Sequence, residues 1–166
     1  MAGMLVDSDA LIKITKAGLK ESLTAHLDLR IVAAVRREVV QEGKKAGAAD
    51  AVEVERNIVR GRLKVLDPVA ASPRSGLFSC GEAEVVAEYE AAGNYEAVIS
   101  DDERFIKRAL ECGIEVLTPA SALVLLVHRR KISAGAACAR LSDLRPFISR
   151  AEFVLAGREL RCKELK

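Results

Sequence analysis

Apolar residues along this chain gather in five short runs separated by longer stretches of helical period. Residues 4–7 (MLVD) open with an apolar run that does not alternate, as a strand buried on both faces requires. Further strands are expected at 29–32 (LRIV), 63–66 (LKVL), 97–100 (AVIS) and 114–117 (IEVL). Ser8 or Asp9 is placed to cap a first helix carrying Leu11, Ile12 and Ile14, which Gly18 breaks, and another turn or two fits 19–26. Helices are also expected at about 33–41, with Gly43 as a stop, and at 48–60, 81–92 and 102–112. Thr118-Pro119 opens one more, closing at His128-Arg129-Arg130, where cations suit the helix dipole. Two further helices fit before Pro146 and after Ser149, and the Pro-, Ser- and Gly-rich residues 68–80 form the one obvious loop.

Strands alternating with helices imply right-handed crossovers and a parallel sheet covered on both faces. The expected fold is α/β, three layers around about five mainly parallel strands, with additional C-terminal helices. One domain of 166 residues is expected, with an α/β core at 4–132 and a helical extension at 133–166. A chain of this length buries roughly 70% of the surface that its unfolded form exposes, so it does not depend on a disulfide or structural metal. Ligand sites in such sheets lie at the carboxyl ends of the strands, near the point where the strand order reverses. Asp7 and Asp102 both fall just past strand ends.

Composition narrows the setting. Half the residues are apolar, few are aromatic and Trp is absent, so Val, Leu, Ile and Ala must build the core. Cys80, Cys112, Cys138 and Cys162 are widely spaced, without a CxxC or zinc-ligand pattern, and the N-terminus has no secretory signature. A reduced cytoplasm is the plain expectation. The longest apolar stretch, 120–127, is far short of the ~20 residues that span a bilayer. A net charge of +2 argues against polyanion binding by bulk charge, but the balance is uneven. Residues 128–166 hold ten Lys and Arg against four acids, which leaves the first 127 residues at a net −4. An acidic body with a basic tail suits a metal site beside a phosphate-binding surface, and equally suits ordinary solvated helices.

Helix phase selects among the acids. Glu82 shares a face with Val86 and Tyr89, whereas Glu84 stacks with Glu88, so Glu82 is expected to lean inward and Glu84 outward. Glu38, one turn after Val35 and beside Val39, points to the core edge, with Arg36 and Arg37 leaning away. Asp7, Glu38, Glu82 and Asp102 thus form a set of inward-leaning acids without partner cations at helix spacing. Bunched carboxylates either take up protons or hold a hard cation such as Mg²⁺ or Mn²⁺, which prefers oxygen ligands. Such a cation polarises a phosphoryl oxygen and lowers the pKa of the water it binds. Each acid also has a plainer role: Ser79-x-x-Glu82 and Ser100-x-x-Glu103 match capping boxes, Asp101 or Asp102 suits a helix start, and Asp9 is expected to cap with Lys13 as partner. His26 and His128 lack metal-ligand spacing.

The order of these residues resembles the PIN domain, the metal-dependent nuclease fold of VapC-type toxins and distant flap endonucleases. MLVDSDALI supplies Asp7, VRREVV supplies Glu38, GEAEVVAEYEAAG supplies Glu82 and SDDERF supplies Ser100 and Asp102. The GExE opening, the adjacent acids, the TPASAL helix and the RRKI turn look most like the uncharacterised PIN-like putative nucleic-acid-binding proteins, over about residues 4–150. Departures are Glu as the third acid in place of the commoner Asp, Asp9 where Asn, Ser or Thr is usual, and Asp101 as a rival to Asp102. Phe105, three residues on, favours Asp102 as the family acid. The resemblance implies a cytoplasmic endoribonuclease in which Asp7, Glu38, Glu82 and Asp102 hold Mg²⁺ or Mn²⁺ and Ser100 hydrogen-bonds an acid or water. RNA would lie against the tail and Arg36, Arg37, Lys44 and Lys45. A toxin role, an antitoxin peptide in the groove and a homodimer are further implications of the resemblance. A PIN-like module that binds RNA or a protein without cutting is the alternative.

Overall fold

The computed structural model describes residues 3–162; Lys163, Glu164 and Lys166 of the basic tail lie outside that range. Each expected run yields a strand, shorter than the run itself: β1 Met4–Val6, β2 Leu29–Ile31, β3 Lys64–Val65, β4 Ala97–Ile99 and β5 Val116–Leu117. The sheet order is β3-β2-β1-β4-β5 and every pairing is parallel, with Met4 opposite both Leu29 and Ala97. All three residues of β1 and of β4 are buried, while the edge strands have two residues each and are partly open. Short edges of this kind limit pairing with other chains.

The helices are α1 Ser8–Lys16, α2 Lys20–Thr24, α3 Ala33–Arg36, α4 Gly43–Lys45, α5 Ala49–Val59, α6 Cys80–Ala92, α7 Glu103–Glu111, α8 Pro119–His128, α9 Ala134–Leu144 and α10 Arg150–Glu159. From β1 the chain steps outward to β2 and β3, then recrosses to β4 and β5 on the other side. Right-handed crossovers therefore put α1 and α5 on one face of the sheet and α6 and α7 on the other, giving three layers. In agreement, α1 packs against α5 and α8, α6 against β1, and α7 against β5. Helices α9 and α10 pack on α8 and on each other. The core between the layers is aliphatic, with Leu5, Leu11, Ile14, Ile31 and Ile99 fully buried around Phe105, whose ring lies 5.6 Å from that of Phe78.

Two expectations fail for physical reasons. Gly43 does not stop its helix: the chain runs from α3 through a π-helical stretch, Arg37–Glu42, into α4. Gly43 is instead a point of close approach, because a Cβ there would sit 3.0 Å from the Cβ of Ala51 on α5. The four cysteines are not all separate thiols either. Cys138 and Cys162 form a disulfide across 24 residues, with Cα atoms 5.6 Å apart, because α9 and α10 fold back on each other; Cys80 and Cys112 are free. Such bonds persist in oxidising surroundings, so cysteine usage no longer argues for a reduced compartment. Among the described residues, no helix is long and apolar enough to cross a membrane.

Phe105 is 2% exposed and begins α7 just beyond the acids at the end of β4. Truncation to alanine should cost about 3–5 kcal/mol in chemical denaturation, the usual penalty for emptying a buried aromatic site.

Candidate functional site

The carboxyl ends of β1 and β4 lie side by side, tied by a bond of 3.1 Å from the Asp7 amide to the Ile99 carbonyl. The strand order reverses here, so the site expected from topology coincides with Asp7 and Ser100–Asp102. Asp7, rather than Ser8 or Asp9, caps α1: its Oδ1 accepts from the Ala10 amide at 2.8 Å. Asp102, rather than Asp101, caps α7, with Oδ1 accepting from the Phe105 amide at 2.8 Å. Ser100 is completely buried between the two acids. Its hydroxyl hydrogen-bonds the Asp7 carboxylate, and its Oγ accepts from the Asp102 amide at 3.2 Å. The Ser100-x-x-Glu103 box is thus replaced by a Ser100–Asp102 contact. Asp101 turns away to an ion pair with Lys13, which was expected to serve Asp9.

Glu38 reaches the site from the π-helical stretch, a form often found at functional sites because it displaces side chains from the α-helical phase. That shift buries Val39 and Val40 together and leaves Glu38 exposed rather than at the core edge. Its Oε2 accepts from the Ser8 hydroxyl at 2.7 Å. Helix α6 begins close by, since a Cβ on Gly81 would stand 3.8 Å from the same oxygen. At that helix start the predicted capping box forms: Ser79 caps α6, and Glu82 Oε2 accepts from the Ser79 amide at 2.9 Å. Glu84 does not point outward. It accepts from the Ala34 amide at 2.9 Å, satisfying the first turn of α3, and lies 3.5 Å from Arg37. Glu88 is buried and accepts from the Tyr95 hydroxyl at 2.5 Å.

Asp7, Glu38, Glu82 and Asp102 all line one cleft of about 390 Å³, joined by Ser8, Asp9, Ser79 and Cys80. No Lys, Arg or His lines it. Four of the five residues singled out from the sequence thus face the same space, and Ser100 lies beneath it. Asp9 was missed as a cleft residue, although its place two residues after Asp7 could have flagged it. Cys80 is adjacent to the GExE opening, and the π-helical phase of Glu38 has no signal in the sequence. Burial pushes the Asp7 carboxyl up to about 7, with the charges of Asp101 and Asp9 adding to the rise and the bonds from Ser100 and Ala10 opposing it. In kind, this all-oxygen, cation-free lining fits a hard divalent ion. In spacing, no three carboxylates, histidines or cysteines among the described residues form a group that could hold one. No protein-family model matches the chain and no curated protein matches it.

The raised Asp7 pKa has a definite sign for stability. Between about 4 and 7 the folded chain holds a proton that the unfolded chain has released, so this group favours folding at low pH and the advantage is lost as pH rises to 7. Asp7→Asn keeps a capping side chain and removes the titration. It should stabilise the metal-free protein by on the order of 2–4 kcal/mol at pH 8 and by little at pH 4, as read by thermal denaturation of both proteins.

Proposed function

We propose that this protein is a divalent-metal-dependent endoribonuclease whose site is the acid-lined cleft at the ends of β1 and β4. The observation that carries the reading is that four acids chosen from sequence order and helix phase line one cleft with no basic side chain, at the reversal point of a parallel sheet. Asp7, Glu38, Glu82 and Asp102 are the residues that would hold Mg²⁺ or Mn²⁺, with water completing the coordination shell. The bound ion would supply Lewis-acid polarisation of a phosphodiester. Ser100 orients Asp7 from below and fixes the turn into Asp102. Ser8 steadies Glu38 on the opposite wall.

RNA approaches along the π-helical wall. Arg36 and Lys45 are exposed and form no ion pair among the described residues, which leaves them free for phosphate contacts, whereas Arg37 and Lys44 are engaged with Glu84 and Glu55. The described cations of α9 and α10 belong to elements that do not line the cleft. A toxin role, with an antitoxin peptide over the cleft and a homodimer as the resting form, rests on the PIN-domain resemblance alone.

The absence of a ready-made group of three ligands favours a second reading, a PIN-like module that binds RNA without cutting it. One assay separates the two. Incubated with single-stranded RNA and Mn²⁺, the chain should cut, and Asp7→Asn or Asp102→Asn should each lower the rate by about 100-fold or more while RNA binding persists. Cleavage unchanged in both variants removes the site assignment. RNA binding with no cleavage by the wild-type chain selects the second reading.

A further inference from the structure

A cavity of about 680 Å³, larger than the acid cleft, lies on the other side of the β4 end. Its walls are α8 and α10. Glu152 Oε1 accepts from the Ala120 amide at 3.1 Å, at the start of α8, and Glu159 lies 3.6 Å from His128 at its end, so the two helices run alongside each other in the same direction. The face of α10 lining the cavity reads Glu152, Leu155, Ala156, Glu159, and that of α8 reads Ser121, Val124, Leu125, His128. Both follow i, i+3, i+4, i+7 spacing, so each wall is polar at its two ends and apolar between. The two glutamates, seven residues apart, are separated by a rise of about 10 Å along the helix.

Three observations fix the ligand's chemistry. Carboxylates dominate the polar lining: Asp101, Glu103, Glu152 and Glu159, against Lys13 and His128. Asp101 is 7% exposed in its side chain; one oxygen pairs with Lys13, while Oδ1 is buried with no hydrogen-bond partner among the described residues. A buried acceptor without a donor is costly, and a ligand N–H in the cavity would relieve that cost. Finally, the one feature that attracts anions, the N-terminus of α8, is already occupied by the Glu152 carboxylate. Burial holds Glu152 above the ordinary carboxylate range, and a cation beside it would offset that burden.

We propose that this cavity binds a linear aliphatic polyamine, with one ammonium group at the Asp101–Glu152 end, its methylene chain along Leu125, Leu155 and Ala156, and a second ammonium group at Glu159. The site is separate from the acid cleft and does not depend on the nuclease reading.

Isothermal titration of the full chain with spermidine at about 0.1 M salt should show one saturable site with a Kd below about 1 mM. Butylamine, which has a single ammonium group, should bind at least about tenfold more weakly. Leu155 is largely exposed, so Leu155→Arg leaves the fold intact while placing a cation in the cavity; it should weaken spermidine binding by about tenfold or more. Glu159→Gln, also at an exposed position, should weaken it by about threefold. No saturable binding at about 10 mM spermidine would overturn the proposal. Undiminished binding by Leu155→Arg, which would place the amine in the acid cleft, also overturns it, as does equal affinity for butylamine.

Discussion

Asp7 is a carboxylate buried at the carboxyl end of the central strand, where the sheet reverses its order. Its position is set by the backbone: strand β1 delivers it, the bond from its amide to Ile99 ties it to β4, and its own Oδ1 starts α1. Ser100, fully buried, holds it from below. Removing such a group from water is unfavourable, and no basic side chain lines its cleft to offset the charge. The remaining acids of the cleft add to the like charge around it. A fold that keeps this arrangement either leaves Asp7 protonated through much of the neutral range or supplies a cation from outside.

Adjacent acids at the end of β4 divide between two spaces. Asp102 caps α7 and faces the acid cleft with Asp7, while Asp101 pairs with Lys13 of α1 and lines the larger cavity between α8 and α10. The short turn between β4 and α7 therefore separates two sites of different chemistry. One is an open oxygen-lined cleft suited to a hard cation. The other is a deeper cavity with charged ends and an aliphatic middle.

The fold was largely legible in the sequence because each strand is a compact apolar run bounded by turn residues, and alternation with helices left a parallel sheet as the natural arrangement. The acids were legible where their position followed from strand ends or regular helix phase, as for Asp7, Asp102 and Glu82. Reading failed where tertiary packing overrode local pattern. Gly43 looked like a helix stop but serves the close crossing of α5, and the π-helical stretch moved Glu38 out of the phase that an α-helix would give it. Glu84 looked solvent-facing because its partner, the Ala34 amide, is fifty residues away in sequence. Lys13 likewise chose a carboxylate distant in sequence over the one a turn before it. Pairing of Cys138 with Cys162 depended on how α9 and α10 fold back, which spacing alone does not encode.

The central claim, that the β1/β4 cleft is a divalent-cation site, is tested most directly by a crystal structure of the protein with Mn²⁺, located by its anomalous scattering. The prediction is an ion in the cleft, contacted by Asp7 and by at least one of Glu38, Glu82 and Asp102, directly or through water. Mn²⁺ found only elsewhere on the protein, with the acid cleft open to solvent and empty of it, would contradict the claim.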